Sequence, residues 1–259
     1  CGLVEVTPTR LLRCECGASL EGRQWKFLRP AGFAVDIRDQ PGNTQDYPVF
    51  IPVRRWISAG KSKWQPLPRP EAGRYRSSPD GRLFHWTLGL HGKGYAVCLH
   101  CGRAASEVSD QATQAMLPEE LLEHFPLRRL RNANVEEVCR GSGNPYGIQR
   151  QLRLGGLERT DVFELQIRSI EPDTPIPSET ALATIAVALR RAVAQKLGID
   201  EREIGWAVDH ARDGSERNGY SIYLFDTAAG GAGYVSLVGH ELPKLLRLAR
   251  EVLEACDCD

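Results

Sequence analysis

The stretch Val97–Gly102, "VCLHCG", sets two cysteines in a C-x-x-C pair just before a glycine. Thiolates at that spacing can both reach one tetrahedral ion, and the glycine lets backbone amides turn toward sulfur. Such a knuckle needs two more ligands. Cys139 and His124, the latter in "HFP", are one candidate pair. Cys14 and Cys16 of "CECG" are the competing pair and would join two knuckles into a ribbon. A histidine at a helix end is also commonly an ordinary surface residue, so spacing leaves the partners open. Cys1, Cys256 and Cys258 complete the eight cysteines. Close C-x-C and C-x-x-C pairs without a secretory leader suit reduced thiolates on zinc better than a disulfide framework.

A second chemistry is suggested between Arg54 and Arg82. Eight basic residues (Arg54, Arg55, Lys61, Lys63, Arg69, Arg74, Arg76 and Arg82) stand there against two acids, with Trp56, Trp64 and Tyr75 interleaved. Cations neutralise phosphates and aromatics stack on unpaired bases, so the stretch reads as a nucleic-acid surface. A solvated loop whose aromatics pack inward has the same composition.

The third feature is "FDTAAGGAGY", Phe225–Tyr234, with Asp226, Thr227, Gly230, Gly231 and Gly233. Glycine-rich turns before helices can bind phosphate, but no G-x-G-x-x-G is present. Catalysis by Asp226 would need a partner, for which Asp209 and His210 offer themselves. Local chemistry favours a structural turn. Other enzyme motifs fail residue by residue. "AGKS" has Arg55 where a P-loop needs its first glycine, and "GHELPK" has Lys244 where H-E-x-x-H needs its second histidine.

The elements that must position these residues divide unevenly. Residues 1–110 read as a β-rich lobe with the zinc knuckle, broken by "PGN", "PLPRPEAG" and "SPDG". Residues 111–150 read as a helical and loop connector, with a short helix over Leu117–Phe125 and a loop at Arg140–Gly147. Residues 151–259 read as strand, helix, strand, strand, helix. "DVFELQIRSI" alternates as a strand. Ser178 is placed to cap a helix over Glu179–Leu197 that Gly198 stops. "IGWAVDHA" and "YSIYLF" follow as strands, and Glu241–Ala255 as the last helix. The expected fold class is α+β.

Composition sets bounds on this reading. The 259 residues are 42% hydrophobic and 25% charged, as in an ordinary globular protein. The longest apolar run, Ala181–Leu189, is far too short to span a bilayer. The net charge of zero hides an asymmetry, because residues 1–103 carry 16 basic against 8 acidic side chains. That bias suggests an electrostatic task for the first half. The chain begins on Cys1 and its single methionine is Met116, as expected of a segment of a longer protein.

"YLFDTAAGGAGYV" followed by a helix ending in "CDCD" resembles the zinc-binding domain of unknown function that closes many DEAD/DEAH-box helicases. It is also known from the mitomycin repair factor A family, with relatives in DISARM-like phage-defence proteins. "FLRPAGFAVDI", "GYAVCLHCGRA" and "LGGLERTDVFEL" extend the resemblance over most of the chain. It implies a cytoplasmic, Zn2+-bearing accessory region of a superfamily-two DNA helicase in repair or phage defence. Its expected partners are DNA and helicase motor domains or a partner subunit, not a membrane. The resemblance further implies that Cys98, Cys101 and Cys139 form a set with His124. Cys256 and Cys258 would be half of a four-cysteine site, although the second C-x-x-C after "CDCD" is missing here. Two alternatives from other classes are a cryptic metal-dependent hydrolase or nuclease around Asp226, and a structural scaffold for a defence complex.

Overall fold

The computed structural model describes residues 10–14, 17–21, 24–31, 51–108, 117–126, 138–168, 178–210 and 220–256. Among these described residues, nine strands and three α-helices form an α+β framework. In chain order they are β1 (Phe27–Leu28), β2 (Val53–Ser58), β3 (Gln65–Pro66), β4 (Gly73–Thr87), β5 (Tyr95–Cys98), β6 (Ala104–Ser106), α1 (Glu119–Leu122), β7 (Ile148–Ile167), α2 (Glu179–Leu197), β8 (Ile204–His210), β9 (Tyr220–Asp226) and α3 (Val238–Glu254). Two compact units share them. One takes Trp56–Phe84 and Leu157–Asp259, the other Thr9–Arg55 and His85–Gly156, so β2, β4 and β7 each contribute to both.

In the first unit, β9 lies between β8 and the C-terminal half of β7, antiparallel to both. Alternation along β7 decides which side chains meet which layer. Phe163 and Leu165 join Ile222 and Leu224 in a core with Leu182, Leu189, Val193, Leu242 and Leu245 of α2 and α3. Each fully buried aliphatic side chain in that layer contributes about 1.5–3 kcal/mol relative to exposure. Val162, Tyr223 and Phe225 point the other way and pack with Ile57, Ala59 and Leu83.

The α2 boundaries follow from local chemistry, as the sequence predicts. Ser178 Oγ accepts from the Ala181 amide at 3.2 Å, and Gly198 ends the helix in the left-handed region at φ 67°. Helix α3 starts at Val238, three residues earlier than expected, and is kinked at Glu241 just before Pro243. The helix expected over Leu117–Phe125 shortens to Glu119–Leu122, because Glu123 turns to extended backbone. The strand expected at Asp161–Ile170 is the second half of the 20-residue β7.

The second unit is small in core and rich in turns. β5 pairs antiparallel with β6 and with the start of β7. Its buried cluster consists of Ala96, Cys98, Ala105, Leu117, Leu121, Cys139 and Ile148. Glu107, fully buried, is held in a fork by Arg150, with Nε–Oε1 at 2.5 Å and the second nitrogen at 2.6 Å. That pair and the Gln151 amide on Glu107 lock the irregular junction where β7 leaves β5.

Candidate metal centre and its surroundings

Cys98 ends β5, Cys101 follows in the turn, His124 follows α1, and Cys139 opens the loop before β7. Backbone bonds draw these separate segments together. The Cys139 amide donates to the His124 carbonyl at 2.8 Å, the Gly102 amide to Cys98 at 2.8 Å, and the Gly143 amide to Leu121 at 3.1 Å. The ligand atoms of all four residues lie within 4.8 Å of one another. Cys98 and Cys139 sulfurs are 3.8 Å apart. Sulfurs on a tetrahedral ion with bonds of about 2.3 Å stand about that far from each other.

The ring of His124 is oriented by Ser142. The Ser142 hydroxyl donates to the His124 carbonyl at 3.0 Å and accepts the His124 amide at 3.0 Å. Its one proton is thus used, so at 3.2 Å from Nδ1 it accepts from the ring. Nδ1 therefore carries the proton and Nε2 keeps its lone pair. Nε2 is buried and, among the described residues, has no hydrogen-bond partner. An orphaned imidazole nitrogen beside three thiols is the donor set of a Cys3His site, and a metal would satisfy it.

Electrostatics agree with that reading. Burial holds His124 below its ordinary value, so the ring stays neutral and able to donate its lone pair. Burial also pushes the Cys101 thiol up to about 12; the Arg103 amide works against this shift, and the neighbouring Cys98 reinforces it. A dication supplies the charge that lets such a thiol ionise. Amides of Arg103 and Gly141 face the sulfurs of Cys101 and Cys139, each at 3.5 Å. Position 141 must be glycine, because a Cβ there would run into the Cys98 sulfur.

Neither Cys14 nor Cys256 is a member of this cluster. Cys14 is half-buried in the irregular segment before β1 and is not part of the group of four. Cys256 is exposed at the end of α3 and is disulfide-bonded. Cys16 and Cys258 lie outside the described residues.

A hydrogen-bond network holds the glycine loop. Asp226 is 1% exposed, and its carboxylate accepts the amides of Ala232 (2.7 Å), Tyr234 (3.1 Å) and Val235 (3.1 Å). Asp161 accepts the Gly233 amide at 3.3 Å and the Ser236 hydroxyl. Thr227 Oγ1 donates to the carbonyls of Arg202 and Glu203. The two carboxylates satisfy the amides that lead into α3, the usual need at a helix start. Gly230, Gly231 and Gly233 all have φ between 81° and 86°. The trio considered for catalysis does not assemble, because Asp226 faces Ile204 whereas Asp209 and His210 pair with Ser221 and Tyr220. Five steps along the ladder separate the two ends by roughly 17 Å.

The basic stretch divides. Arg54, Arg55, Lys61 and Lys63 are exposed. Arg76 is not part of that open surface. It binds Glu164 through Nε (2.6 Å) and a terminal nitrogen (2.5 Å), and donates to the Gly60 carbonyl at 3.0 Å. Glu164 also accepts from Ser221 and Tyr223. Arg74 donates to Gln166 at 2.8 Å, and both guanidinia lie over the Trp64 ring at 4.2 and 4.3 Å. Trp56 packs near Phe84, with ring centroids 6.2 Å apart. Arg74, Arg76 and Trp64 thus clamp the loop after β2 onto the sheet, which alternation on β4 and β7 explains but composition alone hides.

Residues 185–259 match the sequence profile of the MrfA Zn-binding domain. The match is confined to that span. It covers most of α2, then β8, β9, the glycine loop, α3 and the closing cysteines. The Cys98–Cys101–His124–Cys139 cluster, which could hold a metal ion, falls outside it, within the other unit. Over 177 residues the chain is 29% identical to Druantia protein DruE of Escherichia coli (strain UMEA 4076-1), covering 64% of this chain. It spans 9% of that protein's length. Among solved structures it is similar to the crystal structure of DUF1998 helicase MrfA bound to DNA. That likeness has 12% identity and a TM-score of 0.42, over 80% of this chain and 21% of the other. Among the described residues, no helix is long and apolar enough to cross a membrane.

Proposed function

We propose that this chain is a zinc-stabilised accessory region of a superfamily-two DNA helicase or translocase, acting in the cytoplasm in repair or phage defence. The observation that carries the reading is the match of residues 185–259 to the MrfA Zn-binding domain. In this reading ATP is hydrolysed by motor domains outside these residues, and the chain holds DNA or a partner subunit for them.

The first zinc is held by Cys98, Cys101, Cys139 and His124 Nε2, which suits a closed structural site. When bound, the ion supplies no reaction step; it ties the turn after β5 to the segments flanking α1 and β7. A unit whose buried cluster is this small gains much of its stability from such a tie. Cys256, once its disulfide is reduced, and Cys258 offer half of a second site. The exposed cations Arg54, Arg55, Lys61 and Lys63 offer phosphate contacts.

The test is binding of a labelled duplex and a labelled single strand by the reduced, zinc-loaded chain over a series of salt concentrations. Affinity that falls steeply with salt, and is weakened by alanine at these four positions, supports the DNA-holding role. Binding that is absent at low salt counts against it.

A further inference from the structure

Arg153 lies outside the stretch that composition marks as basic. It sits on β7 opposite Phe27 of the parallel strand β1, and its amide donates to the Lys26 carbonyl at 3.1 Å. That docking brings the Trp25 ring to the guanidinium, 4.6 Å from Cζ to ring centroid. Arg153 Nε is buried and, among the described residues, has no hydrogen-bond partner. Arg54, on β2 in the same compact unit, is close enough for its charge to act on Arg153. Burial comes first and Arg54 second in holding the Arg153 guanidinium below its ordinary value. Among the described residues neither arginine forms an ion pair with a carboxylate.

Two of the other part-buried arginines among the described residues are instead closed by carboxylates. Arg150 is closed by Glu107 and Arg76 by Glu164. A part-buried guanidinium whose Nε lacks an acceptor, beside a second cation, gains from an anion that supplies one. The Trp25 ring stabilises the guanidinium through its π face but gives Nε no acceptor. A phosphate provides oxygens for the planar fork of Arg153 and negative charge for Arg54.

We infer that Arg153 and Arg54, with Trp25 stacked on the former, form a phosphate-binding subsite for a nucleic-acid strand. The nature of the ligand rests on the DNA-holding function proposed above, whereas the anion preference rests on the geometry of these three residues.

The test uses the full, zinc-loaded chain with two probes, a fluorescent single-stranded oligothymidylate and inorganic pyrophosphate. Arg153→Gln is expected to weaken oligonucleotide binding about tenfold and to lower the salt slope by about one unit. Arg153→Lys should recover the slope but not the affinity, because the fork is lost. Arg54→Gln, at an exposed position that leaves the core untouched, should repeat the loss, while Arg250→Gln on α3 should change nothing. If the wild type binds the oligonucleotide and both Arg153→Gln and Arg54→Gln keep its affinity and slope, the subsite is wrong and the DNA-holding role stands. If the wild type binds no oligonucleotide, that role fails and pyrophosphate decides. Tryptophan quenching by pyrophosphate that disappears in Arg153→Gln and Arg54→Gln keeps the subsite and assigns it to free phosphate. Equal quenching in the variants, or none in the wild type, overturns it.

Discussion

The Ser142 hydroxyl contacts His124 three times, at the amide, the carbonyl and Nδ1, and so leaves Nε2 as the ring's open lone pair. An orienting group of this kind fixes the tautomer of a metal-bound histidine. Ser142→Ala is therefore expected to lower zinc affinity about tenfold to a hundredfold while leaving all four ligands in place. Competition with a chromophoric chelator measures it. Unchanged affinity would mean that the serine only shapes the loop.

Acid should release the metal. The Cys101 thiol, pushed up to about 12 by burial, holds its proton in the metal-free chain throughout the neutral range and loses it on binding. Apparent affinity then rises with pH by at least about a factor of ten per unit from this residue alone. His124, held below its ordinary value, is already neutral near pH 7 and adds no proton there. Chelator competition between about pH 6 and pH 8 tests the slope. A flat profile would place Cys101 outside the site.

Two glycines of the loop should differ in cost. Gly230 has a positive φ with open space around it, whereas a Cβ on Gly231 would also collide with the Asp161 carboxylate. Gly230→Ala is expected to cost about 1–3 kcal/mol from backbone strain, and Gly231→Ala clearly more. Denaturant unfolding gives both values. Equal values would show that the loop relaxes freely.

Arg76 should behave as an interior residue. Arg76→Gln leaves the carboxylate of Glu164 buried with only hydroxyl partners, at a cost of about 3–5 kcal/mol. The double variant Arg76→Gln, Glu164→Gln should recover much of that loss, because no uncompensated charge remains. Additive losses in unfolding experiments would argue against the pair.

Much of the second half was legible because its signals are local. Ser178, Gly198 and the apolar stripe between them define α2 without reference to anything distant. Asp226 at the end of an apolar strand, followed by glycines, announced a capped turn. Non-local pairing was not legible. Nothing near Ile148 marks the start of a 20-residue strand, and nothing near Arg76 reveals a carboxylate 88 residues away. Arg153 escaped notice for the same reason, since only the β1–β7 pairing brings Trp25 to it. The metal cluster was half legible. C-x-x-C gave two ligands from spacing, but its partners emerge from the bond between Cys139 and His124.

Zinc content of the reduced chain, with Cys14, Cys16, Cys256 and Cys258 all replaced by serine, tests the central claim most directly. The account predicts about one tightly held zinc per chain, and a tetrahedral, thiolate-rich spectrum when cobalt replaces it. Adding Cys139→Ser should abolish both signals. A folded quadruple variant that retains no zinc, or one whose zinc survives Cys139→Ser, would contradict it.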